Sequence, residues 1–107
     1  MLDLIIKNGS CFIDGNLKQQ DIGIENSKIV KIGKLKEDAR ETYDANNLLV
    51  LPGCIDTQTH FREPGSTDTE DLHSGSKAAI VGGITSVFEM PNTNPPTSTK
   101  TEFQRKL

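Results

Sequence analysis

At 107 residues, with 34% hydrophobic residues, four Phe, one Tyr and no Trp, the chain holds material for one modest core, at the low end of the ~100–150 residues usual for a domain. A formal net charge of −3 leaves no basic excess to grip phosphate backbones and argues against a nucleic-acid partner. No apolar run approaches the ~20 residues of a membrane helix, Met1-Leu2-Asp3-Leu4 lacks the basic opening of a secretory signal, and the distant cysteines, Cys11 and Cys54, form neither a metal pair nor a disulfide framework; a cytoplasmic chain with no membrane partner is expected.

Residues 1–51 read as a small β domain. Residues 2–7 are an apolar-rich run closed by Asn8-Gly9, and residues 10–13 are closed by Asp14-Gly15, a strong hairpin dipeptide. Residues 21–25 alternate with period two, and Asn26-Ser27-Lys28 turns the chain into residues 29–32, which Gly33 ends. Residues 35–41 are charged and read as a loop, and residues 48–51 form a short strand before Pro52-Gly53. The sum is an antiparallel, sandwich-type unit with one buried face.

From residue 52 the pattern becomes α/β. Residues 54–61 are strand-like, and residues 62–69 form a loop with Pro64 and Gly65. Thr69 is a candidate cap for a helix over 70–81, with Glu70 and Asp71 suited to its positive N-terminal end. Gly82-Gly83 stops that helix; a phosphate-binding loop would precede a helix, whereas this pair precedes a strand. Residues 84–90 form the second strand, residues 91–96 a loop, and Ser98 or Thr99 caps a helix running to 107. Strand–loop–helix–strand–loop–helix is the opening of a βα repeat, so the two strands should lie side by side and parallel. A (β/α)₈ barrel needs eight such units and ~250 residues, so residues 52–107 read as an incomplete barrel and the chain as the N-terminal piece of a longer protein.

The richest stretch is Asp56-Thr57-Gln58-Thr59-His60-Phe61-Arg62-Glu63-Pro64-Gly65. Strand alternation projects Asp56, Gln58 and His60 to one side, at the kind of strand end where barrel enzymes gather catalytic groups. His60 is a candidate metal ligand through its neutral imidazole. The plain alternative is a hydrogen-bonded structural histidine. Arg62 is suited to clamping a carboxylate with two parallel hydrogen bonds, or else is a surface arginine paired with Glu63 or Asp68. Asn92, after the second strand, offers two donors and an acceptor for orienting a polar substrate; its alternative is a local turn. His73 falls in the helix and should face solvent.

Taken together, these residues closely resemble the signature of dihydroorotases, members of the cyclic amidohydrolase superfamily. The resemblance rests on residues 52–65, on Glu70-Asp71 with Ser74-Gly75-Ser76-Lys77-Ala78-Ala79, on Gly82-Gly83-Ile84-Thr85-Ser86-Val87, and on Met90-Pro91-Asn92-Thr93-Asn94-Pro95-Pro96-Thr97. Allantoinases share the Arg-Glu-Pro-Gly loop, whereas the Met-Pro-Asn-Thr loop points to dihydroorotases. The resemblance implies a small β domain followed by a TIM barrel holding one or two divalent metals, commonly zinc, that activate water against a cyclic amide carbonyl. It implies interconversion of N-carbamoyl-L-aspartate and L-dihydroorotate in pyrimidine biosynthesis. His60 then matches the second histidine of the His-x-His metal pair, Asp56 its acidic neighbour, and Arg62 and Asn92 the substrate-carboxylate residues.

One position departs from that pattern. Gln58 stands where the family has its first metal histidine, and a neutral amide oxygen is a weaker donor to zinc than imidazole. Three outcomes follow: an enzyme using the other metal, an enzyme with relaxed metal geometry, or a non-catalytic homologue assembling with aspartate transcarbamoylase. A homo-oligomer is a further partner expectation. The family's catalytic aspartate, bridging lysine and later histidines have no counterpart here, so no catalytic residue is assigned within the chain, and the chain by itself is expected to be inactive. A free-standing β binding module would leave the paired loop motifs without purpose.

Overall fold

The computed structural model describes all residues from Met1 to Leu107, which form two compact units, Met1–Pro52 and Gly53–Leu107. In the first unit, strands β1 (Leu2–Ile13), β2 (Asn16–Glu25), β3 (Lys28–Gly33), β4 (Ala39–Asp44) and β5 (Leu49–Val50) make one five-stranded sheet. Its main order is β3-β2-β1-β4, with β5 also on β1. Two-residue hairpins join β1 to β2 and β2 to β3. Asp14 and Gly15 have φ of 49° and 76°, and Asn26 and Ser27 have 51° and 59°, the left-handed pairs whose twist matches the flanking strands.

Three expectations for this unit are corrected. Asn8-Gly9 does not end a strand. The β1–β2 register shifts between Ile6 and Gly9, and Asn8, at φ 61°, sits in the resulting bulge. Its amide leaves the ladder and donates to Asp21 Oδ1 at 3.0 Å. Asp21 also accepts the Leu35 amide at 2.9 Å. The bonds from Asn8 and Leu35, in that order of weight, outweigh partial burial and hold its carboxyl below the usual aspartate value. Secondly, residues 39–41 are the start of β4 and not a loop. Thirdly, the sheet is mixed, because β4 and β5 both run parallel to β1. The sandwich-type unit is thus present as a single sheet within these residues. Its core is Leu2, Ile5, Cys11, Ile22 and Ala45, all buried.

The second unit contains β6 (Cys54–Thr59), α1 (Leu72–Val81), β7 (Ile84–Glu89) and α2 (Lys100–Lys106). Strands β6 and β7 are adjacent and parallel, as the repeat requires. The cap of α1 is Asp71 and not Thr69: Ser74 N donates to Asp71 Oδ1 at 2.7 Å. Thr99 caps α2, accepting from Glu102 N. Gly82 closes α1, its amide donating to Ala78 O at 3.0 Å while the Gly83 amide donates to Ile80 O at 2.9 Å. No large apolar side chain is fully buried here. Ile55, Phe88 and Ile80 are 60%, 60% and 68% exposed, as expected of two strands and two helices, too few to enclose a core.

Candidate active site at the ends of two parallel strands

The carboxyl ends of β6 and β7 carry the two motif loops, residues 60–71 and 90–99, and backbone bonds stitch the loops together. Met90 N donates to Thr59 O at 2.8 Å, and Asn94 N donates to Pro64 O at 3.0 Å. Gly65, at φ 104°, lies so close to Asn94 that an added Cβ would stand 2.3 Å from its carbonyl oxygen. Glycine is required there for both conformation and approach. At Gly53 the constraint is approach alone: a Cβ would stand 2.2 Å from Thr85 Oγ1.

On this frame the structure brings His60 and Asn92 together, with His60 Nδ1 2.8 Å from Asn92 Oδ1. With the amide oxygen as acceptor, Nδ1 is the donor of this bond and Nε2 is the ring nitrogen left outside it. Arg62 is exposed and lies outside the chain's ion pairs. Its alternative partner Glu63 is engaged elsewhere, with Glu63 Oε2 accepting from Leu72 N at 2.8 Å and tying the arginine loop to the start of α1. His73 is exposed on α1.

The common face expected for Asp56, Gln58 and His60 is interrupted. The β6–β7 register shifts between Asp56 and Thr59, and Asp56 Oδ1 accepts the amide of Gln58 at 2.9 Å. The Asp56 carboxylate therefore serves its own strand. A cavity of about 570 Å³ opens beside the loops, lined mainly by Phe61, Leu72, Met90, Pro91 and Phe103. Glu89 and Lys106 are its charged groups. His60, Arg62 and Asn92 do not line it, so the three do not converge on this space.

Glu89 was given no role by the sequence pattern. Its Oε1 accepts the amide of Phe61, the residue after His60, at 3.1 Å. Its Oε2 forms an ion pair with Lys106 Nζ and has no further hydrogen-bond partner. Burial holds the Lys106 ammonium below the usual lysine range. An acid closing a β-branched and aromatic strand, at the mouth of a loop, was the available signal.

For a divalent metal, the donor chemistry fits in part. His60 offers the ring nitrogen not engaged with Asn92, and Gln58 an amide oxygen two residues earlier. No group of three His, Cys, Asp or Glu side chains gathers to hold a metal within the chain.

Parallel strands joined by a helix, with motif loops at their carboxyl ends, make the kind of unit that a (β/α)₈ barrel repeats. Residues 49–106 match the model of the Amidohydrolase family, and the chain belongs to that family. Within it the sequence is dihydroorotase-like: it is 44% identical over 107 residues to a dihydroorotase of Methanothermobacter thermautotrophicus, covering 100% of this chain and 24% of the relative. It is 41% identical over 100 residues to an allantoinase of Salmonella choleraesuis, covering 94% of this chain and 22% of that one. Among solved structures, an L-hydantoinase (dihydropyrimidinase) from Arthrobacter aurescens superposes with a TM-score of 0.89 at 32% identity, over 99% of this chain and 24% of that one. The chain thus spans about a quarter of the length of the curated relatives it matches.

Proposed function

We propose that the whole protein is a metal-dependent cyclic amidohydrolase that interconverts L-dihydroorotate and N-carbamoyl-L-aspartate. The observation that supports this best is the pairing of His60 with Asn92 across two stitched loops, in a chain 44% identical to a dihydroorotase. A bound divalent metal, for which zinc suits the nitrogen of His60, supplies Lewis acidity toward the ring carbonyl. The chain's own residues do the rest of what falls to this quarter of the molecule. Asn92 fixes the imidazole of His60 through Oδ1 and keeps its two N–H donors for a ligand. Arg62, unspent in any ion pair, presents a planar fork that matches the substrate carboxylate. The remaining ligands and the proton-transfer group would come from outside these residues.

The test is hydrolysis of L-dihydroorotate by the zinc-loaded whole protein, with allantoin in a parallel assay. Turnover of dihydroorotate alone supports the reading, and turnover of allantoin alone replaces it with the allantoinase reading, which the 41% identity to such an enzyme keeps in play. A second reading, a non-catalytic homologue that partners a transcarbamoylase, draws on Gln58 in place of a ligand histidine. Its signature is zinc stoichiometry below one with neither substrate consumed.

A further inference from the structure

We infer that Glu89 is the positioning residue that sets where His60 and Arg62 stand, with Lys106 holding Glu89 in turn. The inference rests on the proposed amidohydrolase reading. Three segments meet at this one side chain: the end of β7, the backbone between His60 and Arg62, and the last turn of α2. The carboxylate and ammonium side chains are only 17% and 13% exposed, whereas the chain's other side-chain ion pairs lie largely at the surface. A largely buried carboxylate needs partners for both oxygens, and here one partner is the amide that follows the candidate metal ligand. Beyond Thr59 the backbone has left the β6–β7 ladder, so a side chain supplies the acceptor that a strand would have supplied. Since this bond falls between the two residues expected to meet metal and substrate, removing it frees both at once. A displacement of ~1 Å in such groups can cost about a hundredfold in rate.

The experiment compares Glu89→Ala, Glu89→Gln and Lys106→Met in the whole, zinc-loaded protein. It reads kcat and KM for dihydroorotate, the thermal midpoint, and hydrogen exchange at the Phe61 amide. Glutamine keeps a carbonyl for Phe61 N–H, so Glu89→Gln should stay within about threefold of wild type in kcat and keep the amide protected. Glu89→Ala should lower kcat/KM by about ten- to a hundredfold and speed Phe61 exchange by about tenfold, the loss of one net hydrogen bond. Lys106→Met should fall between the two. Unchanged Phe61 exchange in Glu89→Ala overturns the inference, as does a Gln variant no better than Ala at matched thermal midpoint. If wild type turns over no substrate, the function reading fails, but the Phe61 exchange still decides the role of Glu89.

Discussion

Gly65→Ala is the sharpest test of how the two loops are held. The residue sits at φ 104°, outside the region a residue with a Cβ adopts easily, and such a conformation costs on the order of 1–3 kcal/mol. The new methyl would also stand 2.3 Å from Asn94 O and 2.5 Å from Asn94 Cβ. Neither atom is the free end of a flexible side chain, so the 90–99 loop must shift. Overpacking of this kind costs about 1–3 kcal/mol more. Together that is about 2–6 kcal/mol, a large part of the ~5–15 kcal/mol by which a folded domain is stable. The shift also strains the Asn94 N to Pro64 O bond and moves Asn92, two residues away, off His60. Urea unfolding of the whole protein should show a lowered midpoint, and kcat/KM should fall by about a hundredfold. A Gly65→Ala protein with wild-type midpoint and wild-type kinetics would refute the claim that close loop contact positions Asn92.

Arg62→Ala should raise KM for the carboxylate-bearing substrate by about ten- to a hundredfold, as losing a charge-assisted hydrogen bond implies, with little change in thermal midpoint because the side chain takes part in no ion pair. Equal KM values in steady-state assays of the two proteins would remove Arg62 from substrate binding. The Asp71 carboxyl is lowered chiefly by the Ser74 backbone bond, then by the Ser74 side chain, so its stabilisation of α1 is full above the unfolded value near 3.8 and fades as pH falls through the folded one. Asp71→Asn, an equally good cap that does not ionise, should flatten that acid-side loss of helical circular dichroism; an unaltered acid limb in the variant would show that the cap does not control it. Gln58→His should raise zinc affinity by restoring a second imidazole two residues before His60. Equal affinity in a competition titration against a chelator would show that position 58 is not a ligand position.

Much of the architecture was legible because local patterns agreed with tertiary need. The Asp14-Gly15 hairpin and the β6–α1–β7 order were written in turn chemistry and periodicity. Strand β4 was not: it lies at the edge of the sheet these residues form, and the charges of Arg40, Glu41 and Asp44 mimic a loop. Asn8-Gly9 misled for a different reason. The dipeptide does hold a left-handed residue, but Asp21, thirteen positions on, takes the Asn8 amide and the strand continues as a bulge. Thr69 was read as the cap and Asp71 only as a charge suited to the helix end, yet it is Asp71 that the Ser74 amide meets. At the site, residue type and place singled out His60 and Asn92, and the fold brings them within 2.8 Å of each other. Glu89 was not singled out, because its partner is a backbone amide 28 residues away, and no composition rule reports an acceptor role made by folding.

The site divides labour between backbone and side chains. Thr59 O, Pro64 O and the bare Cα of Gly65 join the loops, and Glu63 and Glu89 anchor them to α1 and β7 by accepting amides. Arg62 and Gln58 hold nothing together. At Gln58 it is the backbone that is tied down, through Asp56. A change at 58 or 62 therefore alters chemistry while leaving the fold, whereas a change at 65 or 89 alters both. A glutamine at 58 therefore leaves the loops intact. It follows that an intact fold at this site says nothing about metal binding, and that under the proposed reading the choice between an enzyme and a non-catalytic homologue turns on donor chemistry: the imidazole of His60, and at 58 an amide oxygen, which is the weaker donor to zinc.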